Sequence, residues 1–141
     1  MHCRDHALQL GRAREEFDAV GVPVVLIGQA TPRHATHFRR RMDIDFPVLA
    51  DESRESYRRA GAKVGTLSEV AGPRSVMEGA ARTIRSRGKA MQSRVIGHPY
   101  QLGGAMVVTP DGRVAWAKMA ESAADNATPE EILSAARAAK A

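Results

Sequence analysis

The stretch Pro23-Val24-Val25-Leu26-Ile27 decides the fold class. It is apolar at every position and rich in β-branched residues, the pattern of a short strand covered on both faces. Strands of that kind belong in a buried parallel sheet, whose neighbours are joined by helical crossovers. On its N-terminal side, Leu10, Ala13, Phe17 and Val20 recur at spacings of three and four among charged residues, which predicts an amphipathic helix over residues 3–20, stopped at Gly21. On its C-terminal side, Thr31-Pro32 supplies an N-cap and a first-turn proline, and Ala35, Phe38 and Met42 share one face of the helix that follows. Residues 46–50 read as a second strand. Asp51 or Ser53 caps a further helix, with Tyr57 and Ala60 on one face and Gly61 at its end.

Further on, residues 64–100 are irregular and basic, cut by Gly65, Gly72, Pro73, Gly79, Gly88, Gly97 and Pro99. A short helix over 75–85 is the most that this insertion predicts. Ala105 to Thr109 and Arg113 to Met119, the latter holding Trp116, flank the turn Pro110-Asp111-Gly112 and predict an antiparallel hairpin. Thr128-Pro129-Glu130-Glu131 is a capping box opening a closing helix that carries Ile132, Leu133, Ala135, Ala136 and Ala139. The order predicts one α/β domain over residues 1–141: a mixed sheet flanked by helices, with 24–27 parallel to Val48-Leu49 and the hairpin antiparallel.

Composition narrows the classes of function. The chain has 141 residues, 43% of them apolar, enough to bury a core without metal or disulfide. Cys3 is the only cysteine, so neither an intramolecular disulfide nor a multi-cysteine zinc site is available, which points to a reducing compartment. The longest apolar run, 22–27, is far short of the roughly 20 residues of a membrane span, and the N-terminus lacks a signal-peptide pattern. A soluble, cytoplasmic protein is expected. The net charge of +5 raises nucleic acid as a ligand. Against it stand the spread of the charge and the lack of a binding motif; 17 of the 21 basic residues are arginine, a compositional bias. The triplet Arg39-Arg40-Arg41 falls at a helix C-terminus, where cations suit the dipole, and reads as a solvated helix end rather than a phosphate site.

Three blocks resemble the alkyl hydroperoxide reductase and thiol-specific antioxidant family, in its peroxiredoxin-like branch. His2-Cys3-Arg4-Asp5-His6-Ala7 resembles the Cys-Arg-Glu-His-Ala opening of that family's first long helix. Asp45-Phe46-Pro47-Val48-Leu49-Ala50-Asp51, leading to Tyr57 and Ala60-Gly61, is similar to its Phe-Pro-Leu-Leu strand and the helix after it. Met106 to Val114 resembles its penultimate hairpin with an Asp-Pro-Asp-Gly turn. The resemblance implies a thioredoxin-like sheet, and it implies that the first central strand, which precedes the helix in the family, would lie ahead of Met1. A sheet without that strand has a gap, so the chain is expected to be weakly stable alone or to self-associate. The family's peroxide-binding arginine corresponds to Gly103, and the cis-proline of thioredoxins to a place near Gly104.

The resemblance also implies a chemistry for Cys3. A thiol at a helix N-terminus beside cations has its pKa lowered from about 8.5, and Arg4 and His6 are close in sequence. The expected activity is that of a thiol-dependent oxidoreductase. The Cys3 thiolate attacks a peroxide or disulfide, and an external thiol, small or thioredoxin-type, resolves the product. No cofactor is required. With Gly103 in place of the arginine, slow peroxide reduction is expected, unless Arg94 or Arg74 substitutes. The alternative is a catalytically silent thioredoxin-fold domain that acts by protein binding, since Cys3 stands near a terminus where chains fray. A metal site from His2, Cys3 and His6 lacks a carboxylate partner. His34, His37 and His98 read as ordinary polar positions.

Overall fold

The structure, a computed structural model, describes residues 2–66 and 98–141, with side chains from Arg4 onward. The expected helix over 75–85, most of the basic insertion, and Arg74 and Arg94 lie outside the described residues. Two helices, α1 (His2–Arg12) and α2 (Arg14–Val20), lead into the strand β1 (Leu26–Gly28). The helix α3 (Pro32–Arg41), the strand β2 (Val48–Ala50) and the short helix α4 (Glu55–Arg59) follow. After residue 98 come the strands β3 (Gly104–Val108) and β4 (Val114–Met119) and the closing helix α5 (Pro129–Lys140). No helix among the described residues is long and apolar enough to cross a membrane.

The expected single N-terminal helix is two, because Ala13 turns out of helical geometry at φ −87°, ψ 10°. Its apolar stripe nevertheless runs through the break, and Ala7, Leu10, Ala13 and Phe17 are all buried. Gly21 ends α2 in the left-handed region at φ 69°, which lets the Val22 N–H reach back to the Phe17 carbonyl at 3.0 Å. Lys140 adds a clamp from the far end of the chain, its Nζ donating to the Val20 carbonyl at 2.6 Å. These contacts bring α5 against α2. Ile132, Leu133 and Ala136 of α5 join Phe17, Ile44, Phe46 and Val107 in one core.

β1 and β2 are parallel, in the register Leu26 to Val48, Ile27 to Leu49 and Gly28 to Ala50. The pairing is shorter than the apolar run: Pro47 has no N–H to give, although its carbonyl accepts from the Leu26 N–H at 3.0 Å. Val24 and Leu26 face the core. Val25, Ile27 and Leu49 are 49%, 48% and 52% exposed, so coverage of this strand on both faces is not what forms. The hairpin is antiparallel as expected, with Val107 opposite Trp116 and a register shift between Val107 and Val108. Thr109 closes its turn: its N–H donates to the Arg113 carbonyl at 2.9 Å, and its own carbonyl accepts from the Gly112 N–H at 2.8 Å.

Among the described residues the strands form two pairs, β1 with β2 and β3 with β4, rather than one continuous mixed sheet. Other groups bridge the two halves. Gln29 pairs its side-chain amide with the backbone of His98, donating to its carbonyl and accepting from its N–H, each at 3.0 Å. Gln101 is buried and donates to the carbonyls of Lys63 at 3.2 Å and Leu102 at 3.0 Å. A buried amide with these partners is satisfied rather than strained.

Candidate active site

Caps fix where the helices begin and end. Thr31 accepts from the His34 N–H at 3.3 Å to start α3. Asp43 in the left-handed region at φ 51° then lets Ile44 turn into the core, its N–H reaching the Arg39 carbonyl at 3.0 Å. The Arg39 guanidinium donates to the carbonyls of Ile44 and Asp45, each at 3.1 Å, so the first member of the arginine triplet braces this turn. Asp51 and Ser53 both serve at α4: Asp51 accepts from the Ser56 N–H at 2.8 Å, and Ser53 Oγ from the Glu55 N–H at 3.2 Å. The Ser53 hydroxyl, donating to Asp51 Oδ1 at 2.6 Å, and then the Ser56 hydroxyl hold the Asp51 carboxyl well below the usual carboxylate range.

Cys3, the one nucleophile singled out from the sequence, lies in the first turn of α1. Backbone N–H groups of a first turn have no partner within the helix and carry the positive end of its dipole. The turn is held in place from one side, because Ala7 and Leu10, one and two turns on, are buried in the core. Arg4 follows Cys3 directly and is half-buried, and its Nη1 is buried without a hydrogen-bond partner. Burial, and then the charge of Arg41, draws the Arg4 guanidinium down from its ordinary value. His6 is likewise half-buried, with Nε2 buried and unpartnered. Burial pushes its pKa down, against a hydrogen bond to the Ala127 backbone that pulls it up.

The remaining sequence candidates separate from this turn. Gly103 uses its carbonyl to accept from the Ala120 N–H at 3.0 Å. Gly104 opens β3 so close to β4 that a Cβ there would meet the Lys118 carbonyl at 2.7 Å. No cis peptide bond occurs among the described residues. His34 pairs its Nδ1 with Thr31 Oγ1 at 2.7 Å, whereas Gln29 meets the backbone of His98, whose Nδ1 is buried without a hydrogen-bond partner. No group of three or more His, Cys, Asp or Glu among the described residues is placed to hold a metal ion. A shallow cavity of 440 Å³ between α3 and β2 is lined by Thr36, Arg39, Arg40 and Asp43. Sequence reasoning missed the burial of Arg4 Nη1 and His6 Nε2, because the helix periodicity marks neither residue as part of the apolar face.

The parallel pair, the antiparallel hairpin and the helices packed on them make this a thioredoxin-like α/β protein. Compared with models of protein families, residues 9–122 match the AhpC/TSA antioxidant enzyme family, and the chain belongs to it. No curated protein matches the chain. Cys3 precedes the matched residues, so the match rests on the scaffold from α1 through the hairpin.

Proposed function

We propose that this chain acts as a single-domain, thiol-dependent antioxidant oxidoreductase with Cys3 as its nucleophile. The observation that carries this reading is the position of Cys3 in the first turn of an 11-residue helix, next to an arginine whose buried Nη1 has no partner. Both features favour the thiolate over the thiol. In the reaction the thiolate sulfur attacks the nearer peroxide oxygen. The S–O bond forms as the O–O bond breaks, and the departing oxygen takes a proton and leaves as water or an alcohol. Cys3, oxidised by two electrons, is left as a sulfenic acid. An external thiol displaces water from it to give a mixed disulfide, and a second thiol releases Cys3 reduced. This fits a reducing, cytoplasmic setting and the lack of a second cysteine.

Gly103 gives the site no side-chain cation where the family resemblance places one, so the charge on the leaving oxygen is less well stabilised. A donor of this kind contributes about 10²- to 10³-fold in rate, and slow turnover is expected. The test is sulfenic acid formation after hydrogen peroxide is added to the chain and to Cys3→Ser. A signal confined to the unsubstituted chain is the expected result. Equal signals would leave a silent thioredoxin-fold binding domain as the better account.

A further inference from the structure

One edge of the hairpin is used over part of its length and left open over the rest. Leu102 donates its N–H to the Lys63 carbonyl at 3.1 Å, and the Tyr100 carbonyl accepts from the Gly65 N–H at 2.7 Å. Gly103 turns the other way, its carbonyl accepting from the Ala120 N–H at 3.0 Å. Backbone groups alternate sides along an extended strand, and the register of Ala105 with Lys118 and Val107 with Trp116 continues the side that faces β4. Gly104 and Met106 therefore aim their N–H and C=O groups at the edge that Leu102 shares with Lys63. Val108 does the same beyond the register shift, because Thr109 again donates to Arg113. Among the described residues, no strand and no hydrogen bond takes up this edge past Leu102.

Gly104, Met106 and Val108 are all exposed, the last two by 42% and 54%, so the edge is open to solvent. The other strands are blunted in ways that β3 is not. β2 is three residues long, β4 carries Lys118, and on β1 the Ile27 carbonyl accepts from the Tyr57 hydroxyl at 2.8 Å. β3, with the sequence Gly-Ala-Met-Val-Val, has neither a charge nor a proline, the usual guards of an exposed edge.

We propose that β3 pairs with β3 of a second copy of this chain, antiparallel about a two-fold axis at Met106, joining the two hairpins into one continuous sheet. The pattern of open groups is what selects a second copy. Positions 104, 106 and 108 are symmetric about 106, so Met106 faces its own counterpart, Gly104 of each copy faces Val108 of the other, and every donor meets an acceptor. The length agrees as well. Residues 63–65 close the edge ahead of Gly104 and the Pro110-Asp111-Gly112 turn closes it beyond Thr109, so a strand of five residues, the length of β3 itself, is what fits. Because β3 is uncharged, two copies of a chain of net charge +5 meet there without setting like charges against each other. The pairing asks nothing of Cys3, so it stands or falls apart from the redox reading.

Sedimentation velocity of the full chain over a range of concentrations should show a reversible monomer–dimer equilibrium. Met106→Lys changes an exposed side chain and puts like charges opposite each other at the axis, and it should weaken the dimer about tenfold. Leu49→Lys, on the exposed apolar face of the other strand pair, should leave it unchanged. Register is read separately from Met106→Cys in the Cys3→Ser background, which keeps the test decisive if Met106→Lys does not fold. A short bis-maleimide should join two copies of that variant and should not join two copies of Leu49→Cys made in the same background. A chain that stays monomeric at every concentration, a dimer that Met106→Lys leaves as tight as before, or equal cross-linking through positions 106 and 49 would overturn the proposal.

Discussion

Replacing Gly104 by alanine probes the joint on which the hairpin depends. An ideal Cβ at this position would lie 2.6 Å from Met119 Sδ, 2.8 Å from Met119 Cε and 2.7 Å from the Lys118 carbonyl oxygen. The methionine is flexible and can swing away. The Lys118 carbonyl is backbone, and Ala105 stands opposite Lys118 in the register, so relief requires β3 and β4 to part. Overpacking of this kind costs about 1–3 kcal/mol. The alanine returns about 0.4–1 kcal/mol by restricting the unfolded chain. A net loss of about 1–2 kcal/mol is therefore expected, seen in urea unfolding as a lower midpoint with an unchanged slope. Adding Met119→Ala removes the sulfur but leaves the carbonyl, so the double variant should recover only part of the loss. A Gly104→Ala chain as stable as the original, or one fully rescued by Met119→Ala, would refute the reasoning.

Phe17 is 1% exposed at the centre of the core, and Phe17→Ala should cost about 3–5 kcal/mol in the same urea assay. Thr128→Ala breaks a two-way cap, in which Thr128 Oγ1 accepts from the Glu131 N–H at 3.2 Å and Glu131 accepts from the Thr128 N–H at 2.7 Å. A loss of about 1 kcal/mol in thermal unfolding is expected. His6 has a folded pKa below its ordinary 6.5 because it is buried, so the unfolded chain takes up the proton first as pH falls. Stability should be insensitive to this group above about pH 6.5 and decline below it until the lower folded value is reached. His6→Gln should flatten that decline in melting temperature measured against pH.

The features legible in the sequence are those set by neighbours along the chain. Thr31-Pro32, Gly21, the Pro110-Asp111-Gly112 turn and the Thr128 to Glu131 capping box each carry their geometry within a few residues, and each forms as expected. The parallel match of Leu26 with Val48 followed from two apolar runs around a capped helix. What escaped depends on distant partners. The break at Ala13 leaves the apolar periodicity intact and so has no sequence signal. The exposure of Val25 and Ile27 reflects which face of β1 the helices cover, which an all-apolar run does not encode. Gln29 gripping His98 and Lys140 clamping Val20 join residues 69 and 120 positions apart. At the candidate site, Cys3 and Arg4 were readable from their resemblance to a family motif, whereas the burial of Arg4 Nη1 depends on what the folded chain packs around α1.

The central claim is that Cys3 is held as a reactive thiolate, and the rate of its alkylation by iodoacetamide as a function of pH tests it most directly. Cys3 is the only thiol in the chain, so the profile has one source. The account predicts a midpoint well below the roughly 8.5 of a free cysteine, with reactivity already near its plateau at pH 7.5. A midpoint at or above about 8.5 would contradict it.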